Sequence, residues 1–299
     1  MRKKCAIIQQ TFQIHNNFCN HNLDYFRYCK ISRNNLGVCM EKIDGKIYSN
    51  IKNQLKKIEK DNNIEILYAV ESGSRGWGFP NSESDYDIRF IFKRDMNDYL
   101  TITPINDTID YFDDKLDFVG WDIKKVLYLH RKSNPNLREW MKQSIVYYGD
   151  CAFLENLPPF NISTLKHHYA SIAYKNWKRF RVSENKELTK KITKSYLYMI
   201  RCCLTWIILD ETNDSPLQID ELLSYFKNRM NSTLLNDINS LINFYRSNCE
   251  ANYIDDSTMK NINEFIVSRI NIMNQEVNDK KTLPDIEIYD KKFREIIKY

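Results

Sequence analysis

The chain has 299 residues, 42% hydrophobic and 28% charged, with 44 Lys and Arg against 39 Asp and Glu for a formal net charge of +5. That is enough chain for one large domain or two ordinary ones around a sizeable core. A disulfide scaffold is excluded, because the eight cysteines (Cys5, Cys19, Cys29, Cys39, Cys151, Cys202, Cys203 and Cys249) contain no CxxC pair and Cys202 and Cys203 are too close for an ordinary bridge. A membrane span is not expected either, since the most apolar run, Ile200 to Leu209, contains Arg201 and is too short to cross a bilayer. With no secretory leader legible, the default reading is a cytoplasmic, reducing location.

Residues 1–48 read as an extension without assigned chemistry. His15, Cys19 and His21 lack a matching second ligand pair, which argues against zinc. A helix capped at Ser49 or Asn50 carries Ile51, Leu55 and Ile58 on one stripe and ends at Asp61-Asn62-Asn63. Ile64 to Val70 reads as a strand apolar on both faces. A glycine-rich turn follows, and then a second strand, Asp85 to Lys93.

Residues 99–102 suggest a short edge element before Pro104, and two strands are expected at 107–112 and 115–119 around an Asp113-Asp114 turn. Asp122 is placed to cap a helix with Val126 and Leu129 inside, and a further short helix carries Leu137, Trp140 and Met141. Gly149-Asp150 closes this unit and Pro158-Pro159 leads out of it.

Beyond Ser163 the pattern is helical. One helix follows Leu165, Tyr169 and Ile172, and another, about 188–209, buries Ile192, Met199, Cys203 and Ile207 and turns Lys190, Lys191, Lys194 and Arg201 elsewhere. Ser215-Pro216-Leu217-Gln218 has the composition of a helix start with Leu222, Leu223 and Phe226 behind it. Helices around 234–245 and 259–273 complete the region, and the tail after Asn278 reads as loosely packed, with Ile286, Ile288 and Phe293 available to dock it. The fold class is therefore α+β, divided into an extension (1–48), an α/β unit (49–157), a helical unit (158–278) and a charged tail (279–299).

The chemistry concentrates between Tyr68 and Phe92. Asp85 and Asp87, two residues apart on a strand, project from one face, and two like charges so close call for a cation between them. Hard oxygen donors without a nearby cysteine or histidine point to Mg²⁺ or Mn²⁺. Gly73 permits close backbone approach, while Ser74 and Arg75 offer amides, a hydroxyl and a guanidinium to phosphate oxygens. Carboxylates for metal beside donors for phosphate make a nucleoside triphosphate (NTP) the expected substrate. Arg89 shares the carboxylate face and suits either phosphate contact or neutralisation of the acidic pair. Glu71 either orients the turn or marks a strand end, and Trp77 and Phe79 either stack on a base or pack in the core.

Between residues 160 and 201 ten Lys or Arg stand against two Glu, a surplus of eight that suits a polyanion. Tyr169, Tyr174, Trp177, Tyr196 and Tyr198 interleave with these charges and offer faces for base stacking, so RNA is the expected partner. Oligomeric state is not legible.

Gly73-Ser74, ten spacer residues, and Asp85-Tyr86-Asp87-Ile88 resemble the signature of the polymerase beta-like nucleotidyltransferase superfamily. The longer series, from Glu71-Ser72-Gly73-Ser74-Arg75 through Trp77-Gly78-Phe79, Arg89-Phe90, Gly120-Trp121-Asp122, Lys132-Ser133-Asn134-Pro135 and Glu139-Trp140, is similar to a narrower group of nucleotidyltransferases assigned to an RNA repair pathway. The resemblance implies a small mixed-sheet catalytic domain with Asp85 and Asp87 on metal. It also implies a third carboxylate from a neighbouring strand, best matched by Asp117, with Asp110 and Asp122 as competitors; Asp117 would share a second metal ion with Asp85 and Asp87 in a two-metal site. Lys175, Lys178 and Lys194 are the implied triphosphate contacts from the helical unit. The implied reaction moves a nucleoside monophosphate to an RNA end, with Asp117 taking the acceptor's proton. The alternatives are the same chemistry on a protein or small molecule, and an inactive RNA-binding module. Glu139 is left as a helix cap or a salt-bridge partner.

Overall fold

A computed structural model describes residues 43–182, 188–249, 254–275 and 282–298. The 1–42 segment, with the expected extension and its His15, Cys19 and His21, lies outside the described residues.

Asp44 starts the first helix, α1 (Gly45–Asn62), by accepting the amide protons of Lys46 and Ile47, and Asn63 ends it in the left-handed conformation. The start is several residues earlier than the Ser49 or Asn50 cap read from sequence, because Asp44 is the better-placed acceptor for the orphan amides. Ile51, Leu55 and Ile58 are its buried stripe.

Five strands form one mixed sheet in the order β3-β4-β2-β1-β5. They are β1 (Glu65–Glu71), β2 (Tyr86–Lys93), β3 (Thr108–Asp113), β4 (Leu116–Asp122) and β5 (Val146–Gly149). β2 pairs antiparallel with β1 and parallel with β4, while β3–β4 and β1–β5 are antiparallel. Asp114 turns β3 into β4 with a left-handed backbone. The expected edge element at 99–102 is instead the end of a one-turn helix, α3 (Met96–Tyr99), which follows α2 (Gly73–Gly76) in chain order. Asp95 caps that turn and the Tyr99 hydroxyl bonds to Asp122, so the segment folds back onto the sheet's end and does not extend it.

The two sheet faces belong to two cores. Ile88, Phe90 and Phe92 pack with Ile51, Leu55, Ile58 and Tyr147 beneath α1. On the other face Tyr68, Val70 and Ile91 join α4 (Ile123–Arg131), α5 (Pro135–Met141) and the helical region in one larger core. Asp122 caps α4 as the sequence predicts.

The helical region comprises α6 (Ile162–Phe180), α7 (Lys190–Thr212), α8 (Ile219–Phe226), α9 (Ser232–Arg246) and α10 (Asp256–Gln275). α7 is long and apolar enough to cross a membrane by length and composition, but 72% of its apolar window is buried inside the protein, which makes it the core helix of this region. α8 begins at Ile219, later than Ser215 suggests. Ser215 is occupied by Arg138 and Lys142, which donate to its carbonyl, and Trp77 accepts the Ile219 amide proton.

The tail is ordered as α11 (Ile286–Ile297) and docks on α4. Tyr289 is buried against His130, and Phe293 meets Tyr99 edge-on. Ile286 and Ile288, offered by sequence as docking residues, are exposed, because the helix turns the stripe Tyr289, Phe293 and Ile296 inward.

Candidate active site

Parallel pairing of β2 with β4 sets Asp87 beside Asp117 in register. In-register side chains on adjacent strands share a face, so Asp117, not Asp110 or Asp122, is the neighbouring carboxylate. Asp110 is on the outer strand β3, opposite Val119, and Asp122 is consumed as a helix cap. Asp85 is exposed immediately before β2.

Gly73 opens the one-turn helix α2 with a φ of 57°. A Cβ there would lie 1.9 Å from Asp87 Oδ2, so the glycine is what lets the turn and the carboxylate touch. Ser74 is buried behind the turn. The Ser72 amide donates to the Asp87 carbonyl at 2.8 Å, and the Asp87 amide donates to Glu71 Oε1 at 3.1 Å. Glu71 thus fixes the backbone of Asp87, and Tyr147 donates to its other oxygen at 2.6 Å. Burial pushes the Glu71 carboxyl up to about 7, against the lowering effect of these hydrogen bonds. Burial likewise raises the Asp87 carboxyl, opposed by Arg89 and Lys194 and reinforced by Asp117 and Asp85.

Arg89 bridges the two carboxylates. Its Nη2 donates to Asp87 Oδ1 at 2.7 Å and to Asp117 Oδ2 at 2.9 Å, while Nη1 donates to the carbonyls of Asp117 and Ile88. Among the described residues no group of three or more His, Cys, Asp or Glu side chains is placed to hold a metal ion. The Asp85, Asp87 and Asp117 set expected from sequence does not form such a group, and one guanidinium bridges Asp87 and Asp117. The donors that remain, Asp85 and Asp87 against the Gly73 cradle, suit one hard divalent ion.

The Arg75 side chain lies against Tyr86 and Ser84. Its guanidinium stacks 3.9 Å from the centre of the Tyr86 ring and donates to the Ser84 carbonyl, on the face that packs toward α1. The charge of Lys194, exposed on α7, works to lower the Asp87 carboxyl. Its neighbour one turn earlier, Lys190, bonds Glu83 in the spacer. Lys175 and Lys178 are exposed on α6, the latter over the Tyr174 ring.

The spacer itself is gripped by the helical region. Ile219 donates to the Trp77 carbonyl, Arg246 to Gly78, Asn81 to Tyr245, and Asn248 to Ser82. Phe79 is fully buried and packs edge-on against Tyr245, which makes it a core residue, while the half-buried Trp77 ring stacks on Tyr198 and donates to Glu139.

A buried cluster that sequence reasoning missed anchors this seam. Glu139 accepts from Trp77 Nε1 and Tyr169 Oη at 2.9 Å and from Arg201 Nη2 at 2.7 Å. Arg201, expected on an outer face, is fully buried, and its guanidinium lies 4.5 Å from the Trp77 ring. Burial opposes its charge, but Glu139 holds it firmly protonated. The signal was its place inside the most apolar run, where no solvated side exists. Of the five aromatics offered for base stacking, Tyr169 and Tyr196 are buried, Trp177 and Tyr198 are half-buried, and Tyr174 is exposed.

Residues 47–295 match RlaP, the RNA repair pathway DNA polymerase beta family. The chain belongs to this family. The family's description places it among polymerase beta-like families, in agreement with the α+β fold and the glycine-serine turn. A stretch of 162 residues is 38% identical to the uncharacterized protein YcgL of Bacillus subtilis (strain 168), covering 52% of this RlaP-family chain and 60% of that protein. The alignment thus spans less than two thirds of the relative's length. A nucleotidyltransferase-like protein from Exiguobacterium sibiricum 255-15 aligns over 82% of this chain and 79% of its own, at 7% identity and a TM-score of 0.31, a likeness too slight to assign anything.

Proposed function

We propose that the protein transfers a nucleoside monophosphate from an NTP to a hydroxyl at an RNA end and releases pyrophosphate. The observation that carries this reading is the register of Asp87 beside Asp117 with the Gly73 turn packed on the Asp87 carboxylate. Residues 49–157 perform the chemistry in this reading, and 158–278 hold the substrates.

Mg²⁺ or Mn²⁺ held by Asp85 and Asp87 would offset the triphosphate's charge and lower the pKa of the attacking hydroxyl. The Ser74 and Arg75 amides, in the first turn of a helix and without intrahelical partners, offer donors to the phosphate oxygens. Lys194 adds positive charge from the opposite wall. The acceptor oxygen forms its bond to the α-phosphorus, the bond to the bridging oxygen breaks in line, and the hydroxyl proton passes to the Asp117 carboxylate. Glu71 keeps the Asp87 backbone in place throughout.

RNA as acceptor draws on the family description and on the exposed basic stretch Lys175, Lys178 and Arg179 beside Tyr174. A protein or small-molecule acceptor is the second reading, favoured by the burial or half-burial of Tyr169, Trp177, Tyr196 and Tyr198.

The test incubates the protein with Mg²⁺ or Mn²⁺, each α-³²P-labelled NTP in turn, and RNAs with defined ends, beside the Asp85→Ala/Asp87→Ala variant. Label on RNA with the unsubstituted chain alone is the expected result. Label on protein or on a small molecule moves the acceptor, and no transfer by folded protein with either metal overturns the proposal.

A further inference from the structure

The geometry points to Arg89 as a built-in cation of the active site, a positioning residue that does in the nucleotide-free protein what a second metal ion between Asp87 and Asp117 would do. This rests on the metal-dependent reading of the preceding section and deepens it.

Nη2 of one guanidinium donates to both carboxylates, at 2.7 and 2.9 Å, so the two acids are joined through a single nitrogen. The side chain is not a loose surface cation that fell on an acidic patch. Its Nη1 is held at 3.0 Å by the Asp117 carbonyl and at 3.2 Å by that of Ile88, and the side chain is 16% exposed. Strand register explains the placement. Asp87 and Arg89 alternate onto the same face of β2, and the partner of Asp87 on β4 is Asp117, so an arginine two residues after the carboxylate folds back over the pair. A planar fork can serve two carboxylates and two carbonyls at once, which the point charge of a lysine cannot.

Charge balance leads the same way. Asp85, Asp87 and Asp117 against Arg89, with the Lys194 charge also acting on Asp87, leave no more negative charge than a single divalent ion balances. A second ion between Asp87 and Asp117 would have to displace the guanidinium from hydrogen bonds to charged groups. The nucleotide-free protein therefore takes up one divalent ion, on Asp85 and Asp87, and Arg89 competes with any second.

The experiment counts Mn²⁺ without nucleotide, by electron paramagnetic resonance of free Mn²⁺ during titration, for the unsubstituted protein, Arg89→Gln, Arg89→Lys and Asp85→Ala/Asp87→Ala. The unsubstituted chain should bind one ion. Arg89→Gln should bind a second at least about ten-fold more tightly than the unsubstituted chain does, the scale set by losing a charge-assisted hydrogen bond. Arg89→Lys should fall between them, and serves alone if the neutral variant does not fold. Unchanged stoichiometry and affinity in a folded Arg89 variant overturns the proposal. If the double aspartate variant binds Mn²⁺ as the unsubstituted chain does, the metal-dependent reading fails with it. If the double variant loses the ion while Arg89 variants match the unsubstituted chain, only the role of Arg89 falls.

Discussion

Replacing Gly73 by alanine tests whether the turn and the carboxylate form one unit. The new Cβ would stand 1.9 Å from Asp87 Oδ2 and 2.7 Å from Cγ, on a backbone with φ of 57°. Left-handed backbone costs an L-residue about 1–2 kcal/mol, and pushing the carboxylate off Arg89 forfeits a charge-assisted bond of about 1.5–3 kcal/mol. The expected loss is about 3 kcal/mol, read from urea unfolding followed by the fluorescence of the five tryptophans. In an Asp87→Ala background the carboxylate is gone, so the same change should cost about 1 kcal/mol and leave a coupling of about 2 kcal/mol. Gly45→Ala is the control, since nothing lies within 4 Å of a Cβ there. An equal loss from Gly73→Ala in both backgrounds would refute the contact as its cause.

Removing one member of the Glu139–Arg201 pair leaves a buried charge alone. Glu139→Ala should destabilise the protein by about 3–5 kcal/mol in denaturant titration, and an effect within error would show that the cluster does not tie the helices to the catalytic unit. His130, buried against Phe160 with its carboxyl-free neighbour Tyr289 Oη 3.2 Å from Nδ1, has its pKa pushed down to about 4 by burial. The unfolded chain takes up this proton below about 6.5 while the fold resists it, so stability is intact above that pH and falls by about 3 kcal/mol as pH drops to about 4. Melting curves of the unsubstituted chain and His130→Asn across that window check this; parallel pH dependences would refute it.

The elements were legible where a local pattern set them. The stripe Ile51, Leu55, Ile58 gave α1, and Asp122 announced α4 by its capping position. The turn and the carboxylate strand were readable because a glycine-serine pair and two aspartates keep a fixed spacing. What stayed hidden depends on partners distant in sequence. Nothing local to Arg89 says that Asp117, 28 residues on, will lie within reach, because strand pairing decides that. Glu139 meets Arg201 across 62 residues, and the same contact removed Arg201 from the basic surface assigned to α7. Ser215 carried a helix-start pattern that lost to its bonds with Arg138 and Lys142.

The spacer between phosphate turn and carboxylates has a consequence beyond geometry. A free ten-residue link would lose roughly 1 kcal/mol of backbone entropy per residue on ordering. Here the contacts at Trp77, Gly78, Asn81, Ser82 and Glu83 exact that loss during folding. In the proposed reaction an incoming triphosphate would meet a segment already immobilised by the helices, and its binding energy would not be consumed in assembling the floor beneath it. On the proposed function, the helical region would thereby favour substrate binding even from positions that never touch the substrate.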